Sequence, residues 1–262
     1  MQFILICEEI EVKKVILIIV LIVIVGGGAF SYFLLPDILA SSNLFIDTRE
    51  IKLETEKAGT LILQTNFDEV SVVPNSGPGE IVIKAEIELN QEDMKAGETI
   101  EKNLMLDAVR RGSRVTVEGF YRSRLVNHFS GISEYLYLTV YVPRDMVIEG
   151  DIQGNEVYIG DLSNDLILSG GRGDVIIENM RGRVEIAQHQ GDLVCNNLTG
   201  NIEINDGKGD ITISRVIGGV FIRNISSRGA IHADTIQGDV FIQGKGASIS
   251  VKNAEGDVVI EP

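Results

Sequence analysis

The residues whose type and spacing could do chemistry are carboxylates. Asp174, Asp192 and Asp210 recur 18 residues apart, and Glu156 falls in the same series. Asp239 and Asp257 form a second series with the same spacing of 18. A regular row of carboxylates suits calcium, which takes oxygen ligands. The competing reading is structural: aspartate tolerates the backbone of a tight corner and caps it locally.

The glycine-rich calcium nonapeptide, Gly-Gly-x-Gly-x-Asp, decides between the two. The nearest match, Gly170-Gly171-Arg172-Gly173-Asp174, brings its aspartate one place early, and every other unit lacks the glycine set. The aspartates are therefore expected to be corner residues, with no metal and no cofactor. The histidines His128, His189 and His232 share no spacing and no repeated partner, and His189 falls at a corner position. Carbohydrate-cleaving β-helices cluster their carboxylates, whereas these recur singly. No GxSxG, HExxH, phosphate loop or dinucleotide fingerprint occurs. No catalytic residue is assigned, and the chain is expected not to be an enzyme. Arg172-Gly173-Asp174 spells an integrin-type tripeptide, but it is the repeat's own Gly-Asp preceded by an arginine. Cys7 and Cys195 are too few for a disulfide framework, and Cys195 replaces an aliphatic residue. The net charge of −15 argues against nucleic acid. Arg110, Arg111, Arg114, Arg122 and Arg124 suit solvated strand edges better than an anionic partner.

These residues are positioned by a repeat that fills Asn155 to Pro262. One unit reads Gly173-Asp174-Val175-Ile176-Ile177-Glu178-Asn179-Met180-Arg181, and starts recur every nine residues until a two-residue insertion near Ile225 to Arg228. Positions three and five are almost always aliphatic, as in Val184/Ile186 and Ile211/Ile213. Each unit is thus one strand with its third and fifth side chains on one side, followed by a corner. Position eight alternates between apolar residues (Leu162, Met180, Leu198, Val216, Ile236, Ala254) and others (Gly171, His189, Gly207, Ile225, Lys245). The true rung is therefore two units, or 18 residues, and the stretch holds about six rungs. Stacked at strand spacing they would form a rod of roughly 30 Å. The chain is predicted to be mainly β, a single-stranded β-solenoid.

Ahead of the repeat, residues 45–150 alternate as strands, most clearly at Ile81–Leu89 and Tyr135–Val142. Gln91–Asn103 is the one possible helix there, weakened by Gly97. Val15–Leu35 is an uncharged apolar run long enough for a bilayer, where about 20 residues are needed. Lys13 and Lys14 precede it and no basic residue follows before Arg49. The positive-inside rule puts the amino terminus in the cytoplasm. The run exceeds the core of a cleaved signal, so it is expected to be an uncleaved anchor. The organisation is then a cytoplasmic tail (1–14), a transmembrane anchor (15–36), a linker (37–44), the β-rich part (45–150) and the solenoid (151–262).

Position four faces outward. In one phase it reads Tyr158, Ile176, Val194, Thr212, His232, Ser250. In the other it reads Ile167, Glu185, Glu203, Phe221, Phe241, Val259. First-half strands are expected to cover the Tyr158 stripe, leaving Phe221, Phe241 and Val259 as the candidate partner surface. An anchor, a β-rich half ending at Tyr141-Val142-Pro143, and repeated Gly-Asp-Val-x-Ile units together resemble the bacterial and archaeal putative adhesin family. That resemblance implies a β-solenoid on a membrane-tethered envelope protein and no transferable active site. With the anchor, it implies a non-enzymatic cell-surface protein bound to the lipid bilayer through Val15–Leu35. Its partner would be an envelope polymer, a surface glycan or a protein. The alternative is a self-associating homo-oligomeric scaffold resembling bactofilin, stacked end to end through open strand edges.

Overall fold

The computed structural model describes residues 44–55, 59–77, 79–90, 102–122, 133–225 and 229–261. The tail, the anchor, the linker to Asn43 and residues 91–101 of the expected helix lie outside them. Among the described residues no helix is long and apolar enough to cross a membrane.

Twenty strands are described. The first half contributes β1 (Leu44–Glu54), β2 (Thr60–Thr65), β3 (Glu69–Pro74), β4 (Glu80–Asn90), β5 (Leu104–Arg111), β6 (Arg114–Tyr121), β7 (Ser133–Val142) and β8 (Val147–Ile152). The repeat contributes β9 (Glu156–Gly160), β10 (Leu166–Ser169), β11 (Asp174–Arg181), β12 (Val184–Ala187), β13 (Leu193–Thr199) and β14 (Ile202–Asn205). It continues as β15 (Ile211–Ile217), β16 (Val220–Ile225), β17 (Ala230–Ile236), β18 (Val240–Gly244), β19 (Ser248–Ala254) and β20 (Val258–Glu261). They form two ten-stranded sheets. Sheet A runs β1-β4-β7-β3-β9-β11-β13-β15-β17-β19, and sheet B runs β5-β6-β2-β8-β10-β12-β14-β16-β18-β20.

Each rung of the repeat gives one strand to each sheet. The pairing is parallel and in register at 18 residues: Val175 opposes Leu193, and Val184 opposes Ile202. The inferred two-unit rung is thus the observed one. At the insertion the step becomes 20, with Ile211 opposite Ile231 and Val220 opposite Val240.

Both sheets continue without a break into the first half. β2 pairs with β8 and β3 pairs with β9, all parallel. The β2–β3 rung lies between the β6–β7 rung and the β8–β9 rung, so the chain lays it down first and then builds on both sides. β1, β4 and β5 close the stack as antiparallel strands. The first half therefore extends the sheets edge on. Its described strands do not lie over the Tyr158 stripe, contrary to the sequence expectation, because strands with free edges complete their hydrogen bonds by adding to a sheet.

The core is a ladder of aliphatic side chains between the sheets. Val175, Ile177, Val184 and Ile186 are buried, as are their counterparts on the neighbouring rungs. Burying each such side chain stabilises by roughly 1.5–3 kcal/mol. In sheet A the inward set is positions three, five and eight, not three, five and seven. Position seven has positive φ at Asn179 (55°), Asn197 (59°), Arg215 (56°) and Thr235 (59°). That left-handed residue resets the alternation, and Met180, Leu198, Val216 and Ile236 turn inward behind it. The last rung leaves Val258 and Ile260 about half exposed, at 45% and 49%.

Candidate binding faces and corners

The repeated aspartates serve the corners. Asp174 accepts a hydrogen bond from the backbone N–H of Asp192 at 2.9 Å, and Asp192 accepts one from Asp210 at 2.8 Å. Asp210 accepts the N–H of Ala230 at 2.8 Å. The opposite corner repeats the device: Asp165 with Arg183 N–H, Asn201 with Gly219 N–H, and Asp239 with Asp257 N–H. Each side-chain oxygen so satisfies an amide of the next rung where strand pairing has lapsed. The preceding glycine is needed because rungs touch there. A Cβ on Gly191 would collide with the carbonyl of Gly173, and one on Gly209 with that of Gly191. Among the described residues no three His, Cys, Asp or Glu side chains converge on a common point.

The expected outward columns are in register. On sheet B, Ile167, Glu185, Glu203, Phe221, Phe241 and Val259 oppose one another in turn. Arg183 bridges Glu185 and Glu203, each at 3.0 Å. The guanidinium of Arg223 lies over both phenylalanine rings, 5.8 Å from Phe221 and 5.7 Å from Phe241. Both rings are half-buried and Val259 is exposed. Gly219 makes room, since a Cβ there would sit 2.7 Å from the Phe221 ring. On sheet A, Tyr158, Ile176, Val194, Thr212, His232 and Ser250 form the other column.

The arginine cluster is divided. Arg110, Arg111 and Arg114 flank the Gly112 turn between β5 and β6, while Arg122 lies past the far end of β6. Arg110 donates to the Glu54 carbonyl at 2.8 Å. Arg124 lies outside the described residues. Cys195 is fully buried between Ile177 and Ile213, and burial pushes its thiol up to about 12. It packs as a hydrophobe.

His189 is the corner residue that sequence reasoning undervalued. It is only 3% exposed, and its Nε2 has no hydrogen-bond partner. Glycines occupy the same corner position on the adjoining rungs, Gly171 and Gly207, and a Cβ on Gly171 would lie 3.3 Å from Nδ1. Ile152, Leu168, Gly170 and Ile186 complete the walls of the small void beside it. Desolvation pushes its pKa below the ordinary value, and the nearby Asp174 and Asp192 only partly oppose this. The unfolded chain protonates an ordinary histidine near pH 6.5. Folding therefore favours the neutral ring: its contribution is complete above about pH 6.5 and is lost as pH falls towards the depressed folded pKa. Stability curves of wild type and His189→Gln between about pH 5 and 7 are expected to diverge, the variant being flatter. Parallel curves would remove His189 from the pH response.

No family model matches the chain, and no curated protein matches it in sequence. Solved structures do match. A putative cell adhesion protein from Clostridium sporogenes is 10% identical, aligned over 83% of this chain and 98% of its own, with a TM-score of 0.35. A putative adhesin from Bacteroides fragilis is 14% identical over 82% and 97%, with a TM-score of 0.39. A putative lipid binding protein from Parabacteroides distasonis is 13% identical over 83% and 97%, with a TM-score of 0.30. Proteins described as putative adhesins, the family that the repeat resembles, are thus among the solved structures similar to this chain.

Proposed function

We propose that the protein is a non-enzymatic binding module, held at the cell surface by Val15–Leu35 with its β-stack outside. One observation carries the binding role. Phe221, Phe241 and Val259 form an unbroken apolar strip on the outer face of sheet B, its two rings spanned by Arg223. Core packing does not require that strip, because positions three and five already fill the interior. Aromatic rings with an arginine in a rigid setting are the residue types that anchor partners. Envelope polymers, surface glycans and proteins are the partner classes.

The test is the double variant Phe221→Ser/Phe241→Ser of the full chain in detergent. Binding to a glycan array and to envelope fragments should fall, with the unfolding midpoint nearly unchanged. Unfolding of the variant would make the strip part of the core. Undiminished binding would place the partner elsewhere. Self-association of the wild type, abolished by the variant in sedimentation, would assign the strip to a second copy and favour the scaffold.

A further inference from the structure

The outer face of sheet A near the closed end of the stack has a composition found nowhere else among the described residues. Leu136, Leu138, Val140 and Val142 of β7 are buried, so Tyr135, Tyr137 and Tyr141 point outward, and Tyr158 of β9 does the same. Four of the chain's six tyrosines thus stand on one face. Tyr135 is 52% exposed. Its ring lies 5.6 Å from that of Tyr137, the two planes tilted by 32°.

Carboxylates surround this pair. Glu88 opposes Tyr135, and Glu86 opposes Tyr137 from the same side. Glu69 opposes Tyr137 from the other side, Glu156 follows Glu69, and Asp174 follows Glu156. Tyr137 donates a long hydrogen bond of 3.5 Å to Glu88. Glu86, Glu69 and Glu156 have no ion pair among the described residues. Burial chiefly raises the Tyr137 pKa, and the negative charges of Glu88 and Glu69 add to it. The same face already holds one cation on an aromatic ring: the Lys84 ammonium sits 5.5 Å from the centre of Tyr141. Lys84 also pairs with Glu50 at 3.6 Å, so ring and carboxylate act on it together.

We infer that the face around Tyr135 and Tyr137 binds lysine-rich polypeptide segments. One ammonium sits on the exposed ring pair beside Glu88, as Lys84 sits on Tyr141 beside Glu50. Further ammonium groups meet the row Glu86, Glu69, Glu156. Glu69 and Glu156 are on neighbouring strands, a spacing of roughly 5 Å, and Glu86 lies two strands from Glu69 across Tyr137, roughly 10 Å away; flexible lysine stems can follow both steps. The net charge of −15 adds attraction at a distance. A polyanion is repelled by the same row. This site is independent of the Phe221 strip.

The chain contains no tryptophan and four of its six tyrosines stand on this face, so tyrosine emission should respond to binding there. Full-length protein in non-ionic detergent is titrated with an oligolysine peptide and with its lysine-acetylated form, by tyrosine fluorescence and calorimetry. Oligolysine should bind and the acetylated peptide should not. Tyr135→Ala/Tyr137→Ala should weaken binding about tenfold, and Tyr135→Phe/Tyr137→Phe should keep it, since a cation needs only the ring face. Glu86→Gln/Glu69→Gln should also weaken it and reduce its salt dependence. Absence of oligolysine binding, equal binding of the acetylated peptide, or unchanged affinity in both the alanine and the glutamine variants would overturn the assignment. Unchanged affinity there would mean that net charge alone attracts the peptide. Phe221→Ser/Phe241→Ser should leave oligolysine affinity unchanged, which separates failure of this site from failure of the strip.

Discussion

Replacing Gly200 with alanine should destabilise the stack by about 3–4 kcal/mol, the sum of overpacking and backbone strain. Gly200 has φ near +140°, a region that side chains rarely adopt. Its added Cβ would meet the carbonyl of Gly182 on the rung below, with the carbonyl carbon at 2.7 Å. The obstruction is backbone, so no rotamer relieves it. Gly218 rests on the Gly200 carbonyl in the same way, so the displacement passes upward as well. The amide ladder that closes the corner, Gly182 N–H to Thr199 and Gly200 N–H to Ile217 at 2.9 Å each, would have to lengthen. Gly77→Ala is the control, since nothing lies within 4 Å of a Cβ there. It should shift stability by no more than about 0.5 kcal/mol. Denaturant unfolding of both variants checks the comparison; equal midpoints would show that the corners relax freely.

The glycine column explains why so much of the repeat could be read without coordinates. A solenoid places equivalent residues in contact, so one period in sequence is one step in space. The rung of 18 residues, the six turns and the Phe221–Phe241–Val259 column all follow from counting. The insertion at Ile225 was legible for the same reason, and the 20-residue step at Ile211–Ile231 is its result. The first half has no period, and there counting fails. Nothing in Thr60–Val73 says that β2 and β3 will be flanked by β6–β7 on one side and β8–β9 on the other. The tyrosine face was hidden for that reason, because Glu86, Tyr137, Glu69 and Glu156 come from β4, β7, β3 and β9, which lie side by side in an order the chain does not follow. The corner position of His189 was legible but its burial was not, because position in the repeat does not say whether a corner side chain turns inward. The glycines on either side of it, Gly171 and Gly207, were the available signal that the corner had room for a buried ring.

Contact between equivalent residues also makes the cost of a core deletion depend on its column. Ile213 is fully buried, and its neighbours in register are Cys195 below and Ala233 above. Ile177 is equally buried, but its neighbours are Ile159 and Cys195. Truncation to alanine removes the same atoms at both sites. What differs is how far the surroundings can close the hole, and that sets the spread within the 2–5 kcal/mol range of such substitutions. At position 177 the side chain of Ile159 has atoms that can lean into the gap. At position 213 the cysteine and alanine have almost none, so the cavity stays open. Ile213→Ala should therefore cost about 4 kcal/mol and Ile177→Ala about 3 kcal/mol. Ile213 also faces the 20-residue rung, where the regular step is already interrupted. Because rungs are stabilised only by their neighbours, weakening this contact should separate the unfolding of β17–β20 from that of the rest and broaden or split the transition. Calorimetry on the two variants tests both points: a single sharp transition for Ile213→Ala, or an equal loss at the two sites, would show that the columns share strain along the stack.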